Sequence, residues 1–495
     1  MATSRKASRA SHVESAPVLV PEGFKFGVAT AGFQVEGGFN GPGEPGNNWQ
    51  GWESLGRVEP SGIALDFWHH YEAHLDRVAA MGCNAFRMSV EWARVEPREG
   101  EIDSTALDTY AAVLDACRER GLEPLVTLHH FTHPSWLGEE FWLLPDSPER
   151  FARWVETAVS RLAANCTNWV TINEMNVLAF LSYLAGLFPP GRRLDASAAV
   201  TALDHLLTAH VLAYAVIHKL QENAVVGTNN CSMSIYEMDH VLTDVLSARS
   251  EGVGQEDLAE WLDERRAAHY RALGEVGAFE ALVRRLASSS STVLGGLGGM
   301  VASPASVIGR SVAAVYSSSH ERALDVAQFD YYDPQVSRHV RLPGHKTAGG
   351  RGWSPGRRLW DDVCIPDGLI SFARLAQVRE AQLWVVENGM CNRVRRGRSY
   401  SRSDGWDRPR YLRENLAAVV DAIGAGVPVS AYYHWTLADN YEWGSFEPRF
   451  GLYGIDRERG LRWSDLDSMG CDSAGTYRQL IEGLRSGDRS VLQHS

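Results

Sequence analysis

Eight short apolar stretches, rich in β-branched and aromatic residues, punctuate the chain at 24–30, 85–90, 124–129, 169–173, 224–229, 326–332, 382–387 and 428–435. Their hydrophobicity is continuous rather than alternating, which suits strands buried on both faces and hence a parallel sheet. Between most of them run segments with helical spacing, such as 66–81, 103–120 and 148–164, with helix-start residues at Asp66, Asp103 and Ser147. Strand–helix alternation repeated eight times predicts an α/β fold, a single (β/α)8 TIM barrel. A doubly wound sheet would carry a glycine-rich phosphate turn after its first strand, and Ala29-Thr30-Ala31-Gly32-Phe33-Gln34 is not one. Nearly every stretch ends in groups capable of chemistry or ligand binding: Gln34, Arg87, His130, Asn173-Glu174, Tyr332, Glu387 and Trp435. In a barrel those C-terminal strand ends meet at one mouth.

The barrel is expected over 21–485, between a disordered N-terminal tail (1–20) and a C-terminal tail (486–495). A long insertion, 230–325, separates the fifth and sixth strands. It opens with charged helical sequence (256–285) and then holds no charged residue from 286 to 309. That length would allow a membrane span. Its Gly and Ser content and Pro304 keep its hydropathy low, so the reading is a lid over the mouth and no transmembrane segment. The basic N-terminus is not followed by an apolar stretch, which argues against a signal peptide and for a cytoplasmic location. Seven scattered cysteines without a CxxC spacing read as reduced thiols. A net charge of −13 argues against nucleic acid as a partner. No metal or other cofactor is expected, because His69-His70 and the group His129, His130 and His133 form no coherent ligand set.

Two carboxylates stand out. Glu174 in Thr171-Ile172-Asn173-Glu174 and Glu387 in Val386-Glu387-Asn388-Gly389 each follow a strand-like run. Paired acids at strand ends suit glycoside cleavage, in which one protonates the leaving oxygen and the other attacks carbon. A carboxylate ending a buried strand is costly unless paired. Arg87 in Phe86-Arg87-Met88-Ser89 is the candidate that keeps Glu387 ionised, whereas Glu174 must start protonated. Asn173 is placed to bind a sugar 2-hydroxyl. Sixteen Trp and sixteen Tyr add aromatic faces of the kind that stack on sugar rings.

Over about 21–480 the chain resembles glycoside hydrolase family 1, the β-glucosidase-like enzymes. The likeness implies Glu387 as nucleophile, in the family's Glu-Asn-Gly motif, and Glu174 as acid/base, in its Asn-Glu-Pro motif. It implies that Arg87 and Tyr332 hydrogen-bond the nucleophile. It places Gln34, His130, Asn173 and Glu442 on the hydroxyls of the cleaved sugar and Trp435 beneath that sugar, with Trp443 as a further contact and Phe450 lining the pocket. Three departures stand out: Met175 where Pro is usual, His129-His130-Phe131-Thr132 for the commoner His-Trp-Asp, and Asp330-Tyr331-Tyr332 for Asn-Tyr-Tyr. An inward-pointing Asp330 would raise the pKa of either glutamate. Glu442-Trp443 would repel a 6-phosphate.

The expected function is that of a retaining β-glycosidase, β-glucosidase-like, releasing the terminal sugar of a non-phosphorylated O-glycoside. Its partner is a small-molecule β-glycoside, with a hydrophobic aglycone as one reading of the insertion. Glucoside, galactoside and fucoside remain open, as does oligomeric state. A transglycosidase using the same covalent intermediate and a non-catalytic sugar-binding barrel are the alternatives.

Overall fold

The computed structural model describes residues 19–233, 235–272, 304–332, 364–395, 398–402 and 405–493. Eight parallel strands form the central sheet: β1 (Lys25–Ala29), β2 (Ala85–Ser89), β3 (Glu123–Thr127), β4 (Asn168–Val170), β5 (Val225–Gly227, resuming at Asn229–Cys231), β6 (Val326–Tyr331), β7 (Gln382–Asn388) and β8 (Val429–Trp435). β1 pairs with both β2 and β8. At the far side the first half of β5 pairs with β4 and the second half with β6, so the sheet closes on itself. The closed barrel therefore agrees with the expectation from strand–helix alternation. Thr228 interrupts β5, where its hydroxyl donates to the Ile172 carbonyl (2.6 Å).

Helices pack outside the strands: α1 (Phe67–Ala80), α2 (Ser104–Glu119), α3 (Ser147–Leu162), α4 (Ala196–Leu220), α5 (Gly309–Ser317), α6 (Pro366–Leu375), α7 (Arg408–Gly424) and α8 (Ser473–Ser486). α3 shows why the sequence chose this form. Phe151, Trp154, Val155, Ala158, Val159 and Leu162 recur at three- and four-residue steps and are all buried. Asp103 caps α2 as expected, accepting from the Thr105 and Ala106 amides (2.9 and 3.1 Å). The other two start signals behave differently. Asp66 takes a left-handed backbone (φ 52°) and directs its carboxylate to His69, while Ser147 lies within the first turn of α3.

Side-chain alternation assigns two layers. Ala85, Leu125, Val170, Val326, Trp384, Val386, Ala431 and Tyr433 fill the barrel interior. Their neighbours, including Phe26, Phe86, Val126, Trp169, Phe329 and Val385, face the helices. Both faces are buried, which explains the unbroken apolar runs.

The expected boundaries shift at both ends. Leu19 and Val20, expected in the tail, are buried against the core. Residues 489–492, also expected in a tail, form a short helical turn with Val491 and Leu492 packed on the body. Residues 1–18, and 286–303 of the expected lid, lie outside the described residues. α4 is long and apolar enough to cross a membrane by composition (mean hydropathy 1.5), but 67% of that window is buried inside the fold.

Candidate active site

The C-terminal ends of the strands surround a pocket lined by His130, Glu174, Tyr332, Glu387, Trp435, Glu442, Trp443 and Phe450 among others. Its outer wall is apolar, built from Val177, Phe180, Leu181, Phe188 and Met233. Gln34, Arg87 and Asn173 are fully buried immediately behind these groups. All eleven residues singled out in the sequence thus meet at this end of the barrel.

Strand phase explains the placement. Ala85 faces the interior and so does Arg87, two residues on; Val326 sets the same phase for Asp330. On β7, Trp384 and Val386 point inward, so strict alternation would turn Glu387 outward. A register irregularity follows Phe329, which pairs with Val385, and sets Asp330 opposite Glu387. Irregularities of this kind re-aim side chains beside functional sites. Gly389 completes the turn, because a Cβ there would lie 2.2 Å from the Trp435 carbonyl oxygen. Glu174 follows β4 in a left-handed conformation (φ 39°) and opens the short helix Met175–Ala179.

Arg87 organises the centre. Its guanidinium donates to Glu387 Oε1 through Nη1 and to Asn173 Oδ1 through Nη2 (2.5 Å), and its Nε donates to Thr127 Oγ1 (3.1 Å). Tyr332 donates to Glu387 Oε2 (2.7 Å). Asn173 in turn donates to His130 Nε2 (3.3 Å). Burial raises the pKa of Glu387, and Arg87 and Tyr332 oppose that rise. Among the described residues Glu174 has no such ion pair; burial, then the negative charge of Glu387, push it to about 8. One oxygen from each of Glu174, Asp330 and Glu387 lies within 4.8 Å of the others.

A second group sits deeper. Gln34 Nε2 donates to Glu442 Oε2 (3.2 Å) and to the Tyr441 carbonyl (2.7 Å), and Trp435 Nε1 donates to Glu442 Oε1 (3.3 Å). Burial lifts Glu442 to about 8. Gln34 Oε1 and His130 Nδ1 are buried with no partner among the described residues, which suits them to ligand hydroxyls. The His130 ring lies near-parallel to those of Trp435 and Trp443, 5.8 Å from each. Phe131 packs on Trp443 (5.0 Å), retaining an aromatic surface at this position.

Sequence reasoning passed over several residues. Asn229 donates to Asn173 Oδ1 (2.8 Å) and to Asp330 Oδ2; it ended an apolar run, and that was its signal. Asn388 donates to the Tyr331 carbonyl (2.6 Å) and accepts from Tyr432 (2.6 Å), tying β7 to both neighbours. Cys231 lines the pocket beside Glu174, and no sequence signal marked it out from the other thiols. None of the seven cysteines forms a disulfide.

Among the described residues two groups are close enough to hold a metal ion. One is the carboxylate triad, into which Arg87 already delivers a positive charge. The other, Asp239–His240–His269, is assembled from segments distant in sequence, and its carboxylate already accepts from the Met233 and His240 amides.

Residues 17–272 and 323–483 match the model of glycosyl hydrolase family 1. The chain belongs to this family. Beta-glucosidase 6 of Oryza sativa is 27% identical over 472 residues, covering 89% of this chain and 87% of that protein. 6-Phospho-beta-galactosidase 1 of Streptococcus pneumoniae is also 27% identical, over 463 residues covering 90% and 95%. A solved family 1 β-glucosidase from Thermotoga maritima superposes with a TM-score of 0.68 at 21% identity, covering 94% of this chain and 98% of that one. The segment left between the two matched spans, 273–322, falls inside the 230–325 insertion.

Proposed function

We propose that this family 1 glycoside hydrolase is a retaining β-glycosidase acting on non-phosphorylated O-glycosides. The observation that carries the reading is the pair of opposed carboxyl groups with opposite environments. Glu387 is held by a guanidinium and a phenol, whereas Glu174 is buried and faces a negative charge. Such divergence assigns nucleophile and acid. Their oxygens approach within 4.8 Å, close to the roughly 5–5.5 Å of retaining enzymes and below the roughly 6.5–9.5 Å of inverting ones.

Glu387 forms a bond to the anomeric carbon as the C–O bond to the aglycone breaks, and Glu174 gives its proton to the departing oxygen. Water then attacks the same carbon, its proton passes to Glu174, and the bond to Glu387 breaks. Asn173, fixed by Arg87 and Asn229, is suited to the 2-hydroxyl. Gln34, His130 and Glu442 supply the remaining polar contacts over the Trp435 face, while Trp443 and Phe450 complete the wall. The apolar outer wall favours a hydrophobic aglycone.

The phosphosugar relatives make a 6-phosphate the rival substrate. Against it, Glu442 and Trp443 occupy the sugar end, and Arg402 is the one arginine, with no lysine, among the described residues lining the pocket. Assays with nitrophenyl β-glucoside, β-galactoside and β-fucoside, each with and without a 6-phosphate, test the choice. Turnover of a plain glycoside is expected to vanish in Glu387→Ala and Glu174→Ala. Azide is expected to rescue Glu174→Ala as the β-glycosyl azide. Preference for a 6-phosphate substrate would refute the substrate class, and an α-azide product would refute the mechanism.

A further inference from the structure

The mechanism above uses two acids, and a third carboxyl, that of Asp330, lies beside them. Asp330 is fully buried, and one of its oxygens lies within 4.8 Å of both Glu174 and Glu387. Asn229 Nδ2 anchors its Oδ2. Among the described residues its Oδ1 meets no amide, guanidinium or hydroxyl donor. The Glu174 carboxyl lies within hydrogen-bonding reach of Asp330. Two carboxylates cannot both stay ionised at such a distance in a buried site.

We propose that Asp330 is a positioning residue for leaving-group protonation, sharing a proton with Glu174 and keeping that residue loaded at a pH where a neutral partner would let the proton go. This rests on the reading of Glu174 as acid/base. The ionisable groups facing the pair are Arg87 from β2, Cys231 from β5, Tyr332 from β6 and Glu387 from β7. Arg87 is committed to Glu387 and Asn173, and neither Cys231 nor Tyr332 ionises readily here, since burial raises both. Glu387 is the strongest charge acting on Glu174, and Asp330 is the further acid in contact with it. Burial, followed by the charges of Glu387 and Glu174, holds Asp330 well above the ordinary carboxyl range.

The sign follows from counting charges. Removing the last proton from the pair creates two adjacent carboxylates, whereas removing it from Glu174 beside an amide creates only one. The isosteric Asp330→Asn variant therefore lowers the pH at which Glu174 loses its proton. The alkaline limb of kcat/KM on a phenyl β-glycoside, whose leaving group needs protonation, is expected to fall by at least about one pH unit. On a dinitrophenyl glycoside, whose leaving group needs no proton, the same limb is expected to stay where it is. A limb unmoved on the phenyl substrate, or moved equally on both, overturns the proposal.

Infrared spectra of protein carrying isotope-labelled aspartate supply a readout that does not require the Asp330→Asn protein to fold. The Asp330 midpoint is expected to drop in Glu174→Gln, and an unchanged midpoint overturns the sharing. Wild-type silence on every glycoside, or turnover surviving in Glu387→Ala, would instead defeat the functional reading.

Discussion

Replacing Arg87 by Met tests how the nucleophile is kept ionised. Arg87 is 0% exposed and Glu387 3% exposed, so no water screens the change. The variant removes the guanidinium bonded to Glu387 Oε1, leaves Asn173 Oδ1 with Asn229 as a donor, and frees Thr127 Oγ1 of its Arg87 donor. Arg87 is the largest influence lowering the Glu387 pKa against burial. An opposite charge at this range is worth about 1–3 pKa units. Glu387 in Arg87→Met therefore titrates about 1–3 units higher, and the acidic limb of kcat/KM moves up by that amount. On the acidic limb, below the wild-type midpoint, the activity falls by about 10- to 1000-fold, corresponding to about 1.4–4 kcal/mol, and the loss is smaller on the wild-type plateau.

Stability moves with it. A carboxyl whose folded pKa lies above its unfolded value weakens the fold as pH rises past the unfolded value, and raising the folded pKa further enlarges that loss. At neutral pH the loss is expected near 3–5 kcal/mol, as for a broken buried pair, and to shrink toward acid. The assays are pH–rate profiles and urea melts at acid and neutral pH. Arg87→Lys, which keeps a charge, should fall between wild type and Met. An acidic limb unmoved in Arg87→Met, or a stability loss independent of pH, would refute the reasoning.

Two further changes probe the scaffold. Gly389→Ala puts a Cβ against the Trp435 carbonyl oxygen and should force β7 and β8 apart at the mouth, costing several kcal/mol and most of the turnover; a melting point within a degree of wild type would contradict it. Asp103→Ala removes the α2 cap far from the pocket and should cost about 0.5–2 kcal/mol by urea titration, with kcat/KM unchanged.

The barrel was legible in the sequence because burial on both faces leaves an unbroken apolar run, and six of the eight runs correspond closely to observed strands. β4 and β5 are the exceptions. β4 stops at Val170, where the chain turns toward Asn173, and β5 breaks at Thr228, whose hydroxyl takes up the Ile172 carbonyl in place of the ladder. Helix-start signals at Asp66 and Ser147 were less informative, because a short polar side chain caps only where it sits at the N-cap with its own backbone extended. At Asp66 that backbone is left-handed.

Glu174, Glu387 and Arg87 could be picked out by residue type and strand end, since a charge closing a buried run has few uses other than pairing or chemistry. What surrounds them could not. Asn229 and Asn388 work through hydrogen bonds to groups distant in sequence, and nothing local distinguishes them from other strand-end amides. The inward aim of Glu387 depends on a register shift between β6 and β7, which is a property of two strands together. The sequence by itself determined the alternation of buried strand and amphipathic helix, and with it the barrel and the residues at its mouth. Only the tertiary structure decided which acids stand within 4.8 Å of one another. Hydrophobic period is written locally along the chain, but the field at a buried carboxyl is a sum over neighbours that closure of the barrel alone brings together.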